Sequence, residues 1–388
     1  LDRAELIAGC RRLVVKVGSA VLTGPTGLDL RRVELLAGQV ARLANGERQV
    51  LMISSGAVAT GRAKMGLMGA ALTIPQKQAA AALGQAGLMQ AYEEAFAAHG
   101  KKAAQVLLTA DDLRHRPRYE NARNTLHTLL DWGVVPVVNE NDTVAVDEIK
   151  LGDNDNLAAM LTNLLGAELL IILTNVDGIL DADPRDNPAA KRIAVVDRVE
   201  ADLLTAASGQ PGEVGLGGIL SKVRSADKVA RCGAHTIVAN GRVDDVLDRL
   251  AAGGDLGTLF LPRASRLTSR KHWIAFTAAQ GGEIVVDEGA VRPLTEGGKS
   301  LLAAGVIEVR GEFPAGQAVR VLGPGQAILG IGLVNFDSGE LTAIKGLRTD
   351  EIAARLGHAD HHPEVIHRDN LVVFGLDEEE EVACLLKS

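Results

Sequence analysis

The first two-thirds of the chain alternates short apolar runs with longer stretches of helical periodicity, and this alternation restricts the possible folds more than any other feature. Runs at 12–17 (RLVVKV), 49–54 (QVLMIS), 104–108 (AQVLL), 134–138 (VVPVV), 169–174 (LLIILT) and 235–239 (HTIVA) have strand length. Between them, 29–44, 75–98, 119–131, 156–166 and 219–232 repeat apolar residues at the three-four spacing of amphipathic helices. Strands that are apolar throughout need cover on both faces, so the pattern predicts a mainly parallel sheet between two helical layers, an α/β three-layer αβα sandwich. Residues 1–262 form this first domain. A break at 263–279 reads as a linker. From 280 to 374, short pieces such as EIVVDEG, QAVRVLG and AILGIGLVNF recur with glycine turns, which predicts a small β-barrel or sandwich. The remainder, 375–388, is an acidic tail expected to be solvated.

Composition narrows the function. Residues 276–388 carry 9 Lys+Arg against 18 Asp+Glu, whereas the first 275 carry 32 against 31. A general electrostatic grip on nucleic acid needs the opposite sign, so RNA is not the expected partner of the C-terminal part. Cys10, Cys232 and Cys384 are odd in number and widely spaced, which gives neither a zinc site nor a disulfide framework. Nothing resembles a targeting or membrane segment, and the cytoplasm is the expected location.

In open α/β sheets ligands bind beyond the carboxyl ends of the strands. The first strand ends in Lys16-Val17-Gly18-Ser19, where an ammonium group and close-approaching backbone N–H groups suit a phosphate. The second runs into Ser54-Ser55-Gly56-Ala57, small donors at a helix start. VVPVV leads into Asn139-Glu140-Asn141-Asp142, and LLIILT ends in Thr174-Asn175. Further on, a glycine-rich stretch precedes a helix carrying Lys222. Each feature alone also reads as a cap, a solvated charge or a connector. Gathered at one rim, they are the parts of a phosphoryl-transfer site: cations, backbone donors and orienting carboxylates. There is no GxxxxGK[ST] and no GxGxxG after a strand. His367-Arg368-Asp369 imitates a protein-kinase catalytic loop but lacks its asparagine. His361 and His362 read as surface residues.

The segment KLGDNDNLAAM (150–160) is the densest polar cluster. Four short polar residues precede a helical run, where one would cap it. The expectation is that Asp155 or Asn156 starts the helix and that Asp153 and Asn154 face the rim.

KVGS (16–19), SSGAVA (54–59), NENDTVAVDEIKLGDNDNLAA (139–159) and the Gly-Gly…Lys loop together resemble the amino acid kinase family, and within it the branch that acts on glutamate. The C-terminal stretch from VDEGA to GQAVRV resembles a PUA domain. The resemblance implies the amino acid kinase fold and ATP-dependent phosphorylation of the γ-carboxylate of L-glutamate, the first step of proline synthesis. It gives Lys16 and Lys222 the transferred phosphoryl group and Asp153 the task of holding both lysines. Ser55, Asp142 and Asn154 would bind glutamate, with Asn139 and Glu148 in the same wall. Thr174, Asn175, Leu216, Gly217, Gly218, Ile219, Leu220 and Ser221, with Lys16 and Lys222, would contact ATP. Mg2+ would travel on the nucleotide phosphates, with no residue assigned as a direct metal ligand. Homo-oligomers and inhibition by proline are further family expectations. Two positions depart from the family pattern: Asn175 stands where an aspartate is usual, and Leu216 where a threonine is usual. Those changes leave a non-catalytic sensor as an alternative, and a kinase for N-acetylglutamate or aspartate is the closest enzymatic rival.

Overall fold

The computed structural model describes residues 2–145, 153–182, 187, 189–200, 203–204, 216–263, 271, 273–274, 280–356 and 363–374. The chain divides into two compact units, one built from 1–113 and 117–266 and the other from 114–116 and 267–388. The structure has fifteen strands among the described residues: β1 (Arg12–Val17), β2 (Thr23–Gly24), β3 (Gly27–Leu28), β4 (Gln49–Ser54), β5 (Lys102–Leu108), β6 (Val134–Glu140), β7 (Leu169–Thr174), β8 (Val195–Val196), β9 (His235–Asn240), β10 (Thr258–Phe260), β11 (Gln280–Val286), β12 (Val306–Arg310), β13 (Ala318–Leu322), β14 (Ile328–Leu333) and β15 (Leu371–Val373).

In the first unit eight strands form one sheet in the order β5-β6-β4-β1-β7-β9-β10-β8. The six strands from β5 to β9 are mutually parallel, and β10 is antiparallel to β9. All six runs expected as strands lie in this sheet, and the five helical stretches form helices at Leu30–Leu43, Ile74–Ala97, Arg116–Asp131, Asp153–Leu165 and Leu216–Arg231. Residues of β1, β4 and β7 are buried almost without interruption, as expected for strands covered on both faces. Because β1 sits between β4 and β7, the carboxyl ends of these three strands share one rim.

The second unit carries a five-stranded mixed sheet in the order β12-β11-β13-β14-β15, with its own core around Ile284, Val319, Val321, Leu341 and Ile366. The tail at 375–388, most of the linker and His361-His362 lie outside the described residues. Among the described residues no helix is long and apolar enough to cross a membrane.

One close crossing shapes the rim of the first unit. Helix Ala57–Lys64 lies against helix Ile74–Ala97 with backbones nearly touching: a Cβ on Gly84 would sit 1.9 Å from Ala57 O, and one on Gly61 1.8 Å from Ala80 O. Neither obstruction is a movable side chain, so glycine is required at both positions. Gly84→Ala should therefore lower stability by roughly 1–3 kcal/mol through overpacking, read as a lower urea midpoint at unchanged m-value.

Candidate active site

Lys16 lies near the end of β1, flanked by Ile53 of β4 and Ile172 of β7, and is only 6% exposed. A lysine this deep needs a partner, because an unpaired buried ammonium is costly. The partner comes from helix Asp153–Leu165. Asp155, 1% exposed, places Oδ1 2.7 Å from Lys16 Nζ and Oδ2 3.0 Å from Lys222 Nζ. Lys222 projects from helix Leu216–Arg231 and also donates to Gly218 O at 3.0 Å. One carboxylate thus bridges two ammonium groups from two other elements.

Gly18 lies directly beside the bridge. The Gly18 amide donates to Leu173 O at 3.0 Å, tying β1 to β7 just past Lys16. A Cβ on Gly18 would stand 3.6 Å from Lys16 Nζ. Burial works against the charged forms at both ends of the bridge. For Asp155 burial pushes the pKa up, but Lys16 and Lys222 more than offset it and hold the carboxyl below the ordinary range. For Lys16 burial dominates, Asp155 opposes it and Lys222 adds to it, so the net shift is downward.

Sequence reasoning expected Asp153 to hold the lysines and Asp155 or Asn156 to start the helix. The bridging carboxylate is Asp155. The helix begins at Asp153, so Asp155 already lies in its first turn. The side chain of Asp153 lies outside the described residues, as do Glu148, Lys150 and Gly215.

Asn154 is turned towards a second cluster. Its Nδ2 donates to Ser55 Oγ and to Asn139 Oδ1, both at 3.0 Å. Ser55 is placed by Gly56, whose φ of 119° turns the chain from β4 into helix Ala57–Lys64. Ser54 before it is fully buried and shares a hydrogen bond of 2.8 Å with the hydroxyl of Tyr92. Asn139 in β6 donates from Nδ2 to Gln85 Oε1 at 2.9 Å, and its Oδ1 also accepts from the Glu140 amide at 2.9 Å. Asp142 lies in the turn that follows β6. Ser55, Asn139 and Asn154 are therefore joined directly, beside the lysine bridge.

On the other flank, Thr174 ends β7 and its Oγ1 lies 3.4 Å from Asn175 Oδ1. The helix that carries Lys222 begins at Leu216, so Gly217, Gly218, Ile219, Leu220 and Ser221 fall within its first turns rather than in the expected loop. The first amides of a helix have no intrahelical partner and favour anions. Sequence reasoning missed Asn240 and Gly241 at the end of β9. The Gly241 amide donates to Thr174 O at 2.8 Å, and Asn240 Nδ2 donates to Asp177 Oδ1 at 2.8 Å. The signal was present, since HTIVA was read as a strand and its end lies on the same rim. Among the described residues no group of three or more His, Cys, Asp or Glu is arranged to hold a metal ion, and the central carboxylate is already engaged by two ammonium groups.

Residues 11–240 match the amino acid kinase family, and residues 282–356 match the PUA domain. The glutamate 5-kinase of Geobacter sulfurreducens is 50% identical over 372 residues, covering 96% of this chain and 100% of that protein. The glutamate 5-kinase of Syntrophotalea carbinolica is 47% identical over 371 residues, covering 96% and 99%. That of Meiothermus ruber is 49% identical over 361 residues, covering 92% and 94%.

Removing the shared carboxylate would leave two buried ammonium groups facing each other. Asp155→Ala should cost roughly 3–5 kcal/mol, the usual penalty for stranding a buried charge, seen as a lower midpoint in chemical denaturation.

Proposed function

The chain belongs to the amino acid kinase family, and on that premise we propose that it transfers the γ-phosphoryl group of ATP to the γ-carboxylate of L-glutamate. The observation that carries this reading is the Lys16–Asp155–Lys222 bridge beside the linked Ser55, Asn139 and Asn154.

The chemistry needs little from the protein beyond position and charge. Glutamate's side-chain carboxyl, with an ordinary pKa of about 4.3, is already an anion at neutral pH, so no general base is required. A carboxylate oxygen attacks the γ-phosphorus, the bond from that phosphorus to the β,γ-bridging oxygen breaks, and its electrons leave on ADP. The products are an acyl phosphate and ADP. In such a transfer charge spreads over the equatorial oxygens of the moving group, and cations aimed there lower the barrier. Lys16 and Lys222 are those cations. Asp155 touches neither substrate in this account. It holds the two ammonium groups apart at a set spacing, which prevents their mutual repulsion from displacing either one.

Ser55, Asn154 and Asp142 form the glutamate side of the site. Thr174, Asn175 and the helix start at 216–222 form the nucleotide side. Asn175 cannot supply the negative charge of an aspartate, and Leu216 offers no hydroxyl, so backbone donors at the helix start carry more of the phosphate binding. Mg2+ bound to the phosphates of ATP would supply further charge neutralisation. A cytoplasmic setting, assembly with further copies and inhibition by proline, the end product of the proposed pathway, belong to the same reading.

ADP release should be seen with ATP, Mg2+ and L-glutamate, and be lower by at least about 100-fold in kcat/KM for N-acetylglutamate and aspartate; this is the size expected when a polar site is mismatched. No ADP with saturating glutamate, or equal rates across the panel, would refute the assignment. The pH profile gives a second check. Phosphoryl transfer needs charged Lys16, whose pKa lies below the ordinary lysine value. As pH rises the ammonium is lost early, so kcat/KM should fall on an alkaline limb centred below about 10.4. A flat profile to that point would contradict the role of Lys16.

A further inference from the structure

Gln85 lies at the far end of a chain of carboxamides that leads into the glutamate side of the site. The orientation of that chain is set by a backbone group. The Glu140 amide can only donate, and it donates to Asn139 Oδ1 at 2.9 Å. The Asn139 carboxamide is therefore fixed with oxygen on one side and Nδ2 on the other. Nδ2 is received by Gln85 Oε1 at 2.9 Å, and Gln85 in turn directs Nε2 to Gln105 Oε1 at 3.3 Å. On the opposite side, Asn139 Oδ1 draws Asn154 Nδ2 to 3.0 Å, and the same Nδ2 reaches Ser55 Oγ at 3.0 Å. Asn154 has then committed its donors, and only its Oδ1 remains. That oxygen is buried and has no hydrogen-bond partner among the described residues. A buried acceptor left unpaired is costly, so the site is built for a ligand that brings a donor to it.

Glutamate offers one group that is a donor only, its α-ammonium. We infer that Gln85 is a positioning residue which, by holding the Asn139 carboxamide, keeps Asn154 Oδ1 presented to the α-ammonium of the substrate and so selects free α-amino acids over analogues lacking that group. This rests on the glutamate-kinase reading of the site. An ammonium on a neutral carbonyl oxygen makes a charge-assisted hydrogen bond, stronger than a neutral pair. Loss of the Gln85 acceptor would leave Asn139 Nδ2 unsatisfied and that carboxamide held by the Glu140 amide alone, so that Asn139 Oδ1, and with it Asn154 Oδ1, would no longer be held at a set position. Helix Ile74–Ala97 carries Gln85 next to Gly84, the residue at the close crossing with helix Ala57–Lys64.

The test compares wild type, Gln85→Leu and Gln85→Glu, with the unfolding midpoint of each recorded. Glutarate, which has both carboxylates of glutamate but no ammonium, serves as competitive probe. ADP release by wild type with glutamate tests the underlying reading; the remaining measurements test the relay. Wild type should have a glutarate Ki at least about tenfold above its glutamate KM. Gln85→Leu should raise the glutamate KM about tenfold or more, with the ATP KM and the glutarate Ki within about twofold of wild type. Gln85→Glu, which retains the acceptor for Asn139, should stay within about threefold of wild type. A wild-type ratio of glutarate Ki to glutamate KM below about ten would overturn the inference. So would a folded Gln85→Leu with unchanged glutamate KM, a rise in the glutamate and glutarate constants together, or equal damage in Gln85→Glu.

Discussion

Two ammonium groups, each no more than 8% exposed, share one carboxylate that is 1% exposed, and the rest of the first unit is arranged to make this possible. Buried charges persist only when paired and hydrogen-bonded. The three groups come from a central strand and two helices, so the bridge forms only when β1, helix Asp153–Leu165 and helix Leu216–Arg231 are packed in register. Folding and site assembly are therefore one event. Asp155 is spent on the lysines, and the lysines keep their remaining N–H groups for an incoming anion.

The two flanks of this bridge are built from different materials. One side carries a hydrogen-bonded chain of neutral side chains, Gln85, Asn139, Asn154 and Ser55, with Asp142 in the turn that follows β6. The other is mostly backbone: a helix start at Leu216 and the tie between Gly241 and Thr174. Side-chain amides discriminate by donor and acceptor pattern, whereas helix amides respond to negative charge of any origin. That division suits a site with one small substrate to recognise and one polyphosphate to hold.

Much of this could be read from the sequence, for definite reasons. Strands buried on both faces leave unbroken apolar runs, so β1, β4, β6, β7 and β9 were visible, and their ends indicated where Lys16, Ser55, Asn139 and Thr174 would gather. The two-residue strand β8 and the three-residue β10 carry too little pattern to be seen. From sequence the helix start is expected at Asp155 or Asn156, whereas the helix begins at Asp153 and Asp155 meets the lysines from its first turn. Capping residues crowd that start, so pattern does not set which one opens it. Gln85 was invisible for another reason. It occupies an ordinary helical position, and its partner Asn139 lies 54 residues away in sequence. Sequence pattern reports which faces are buried; it does not report which partner a glutamine meets.

The most direct test of the central claim traps the product itself. An acyl phosphate reacts with hydroxylamine, so wild type incubated with ATP, Mg2+, glutamate and hydroxylamine should accumulate the γ-hydroxamate of glutamate. Asp155→Asn, checked to be folded, should form it at least about 100-fold more slowly, the scale of loss when a preorganised electrostatic group is disturbed. Hydroxamate formation at the wild-type rate in Asp155→Asn, or none in wild type, would contradict the account.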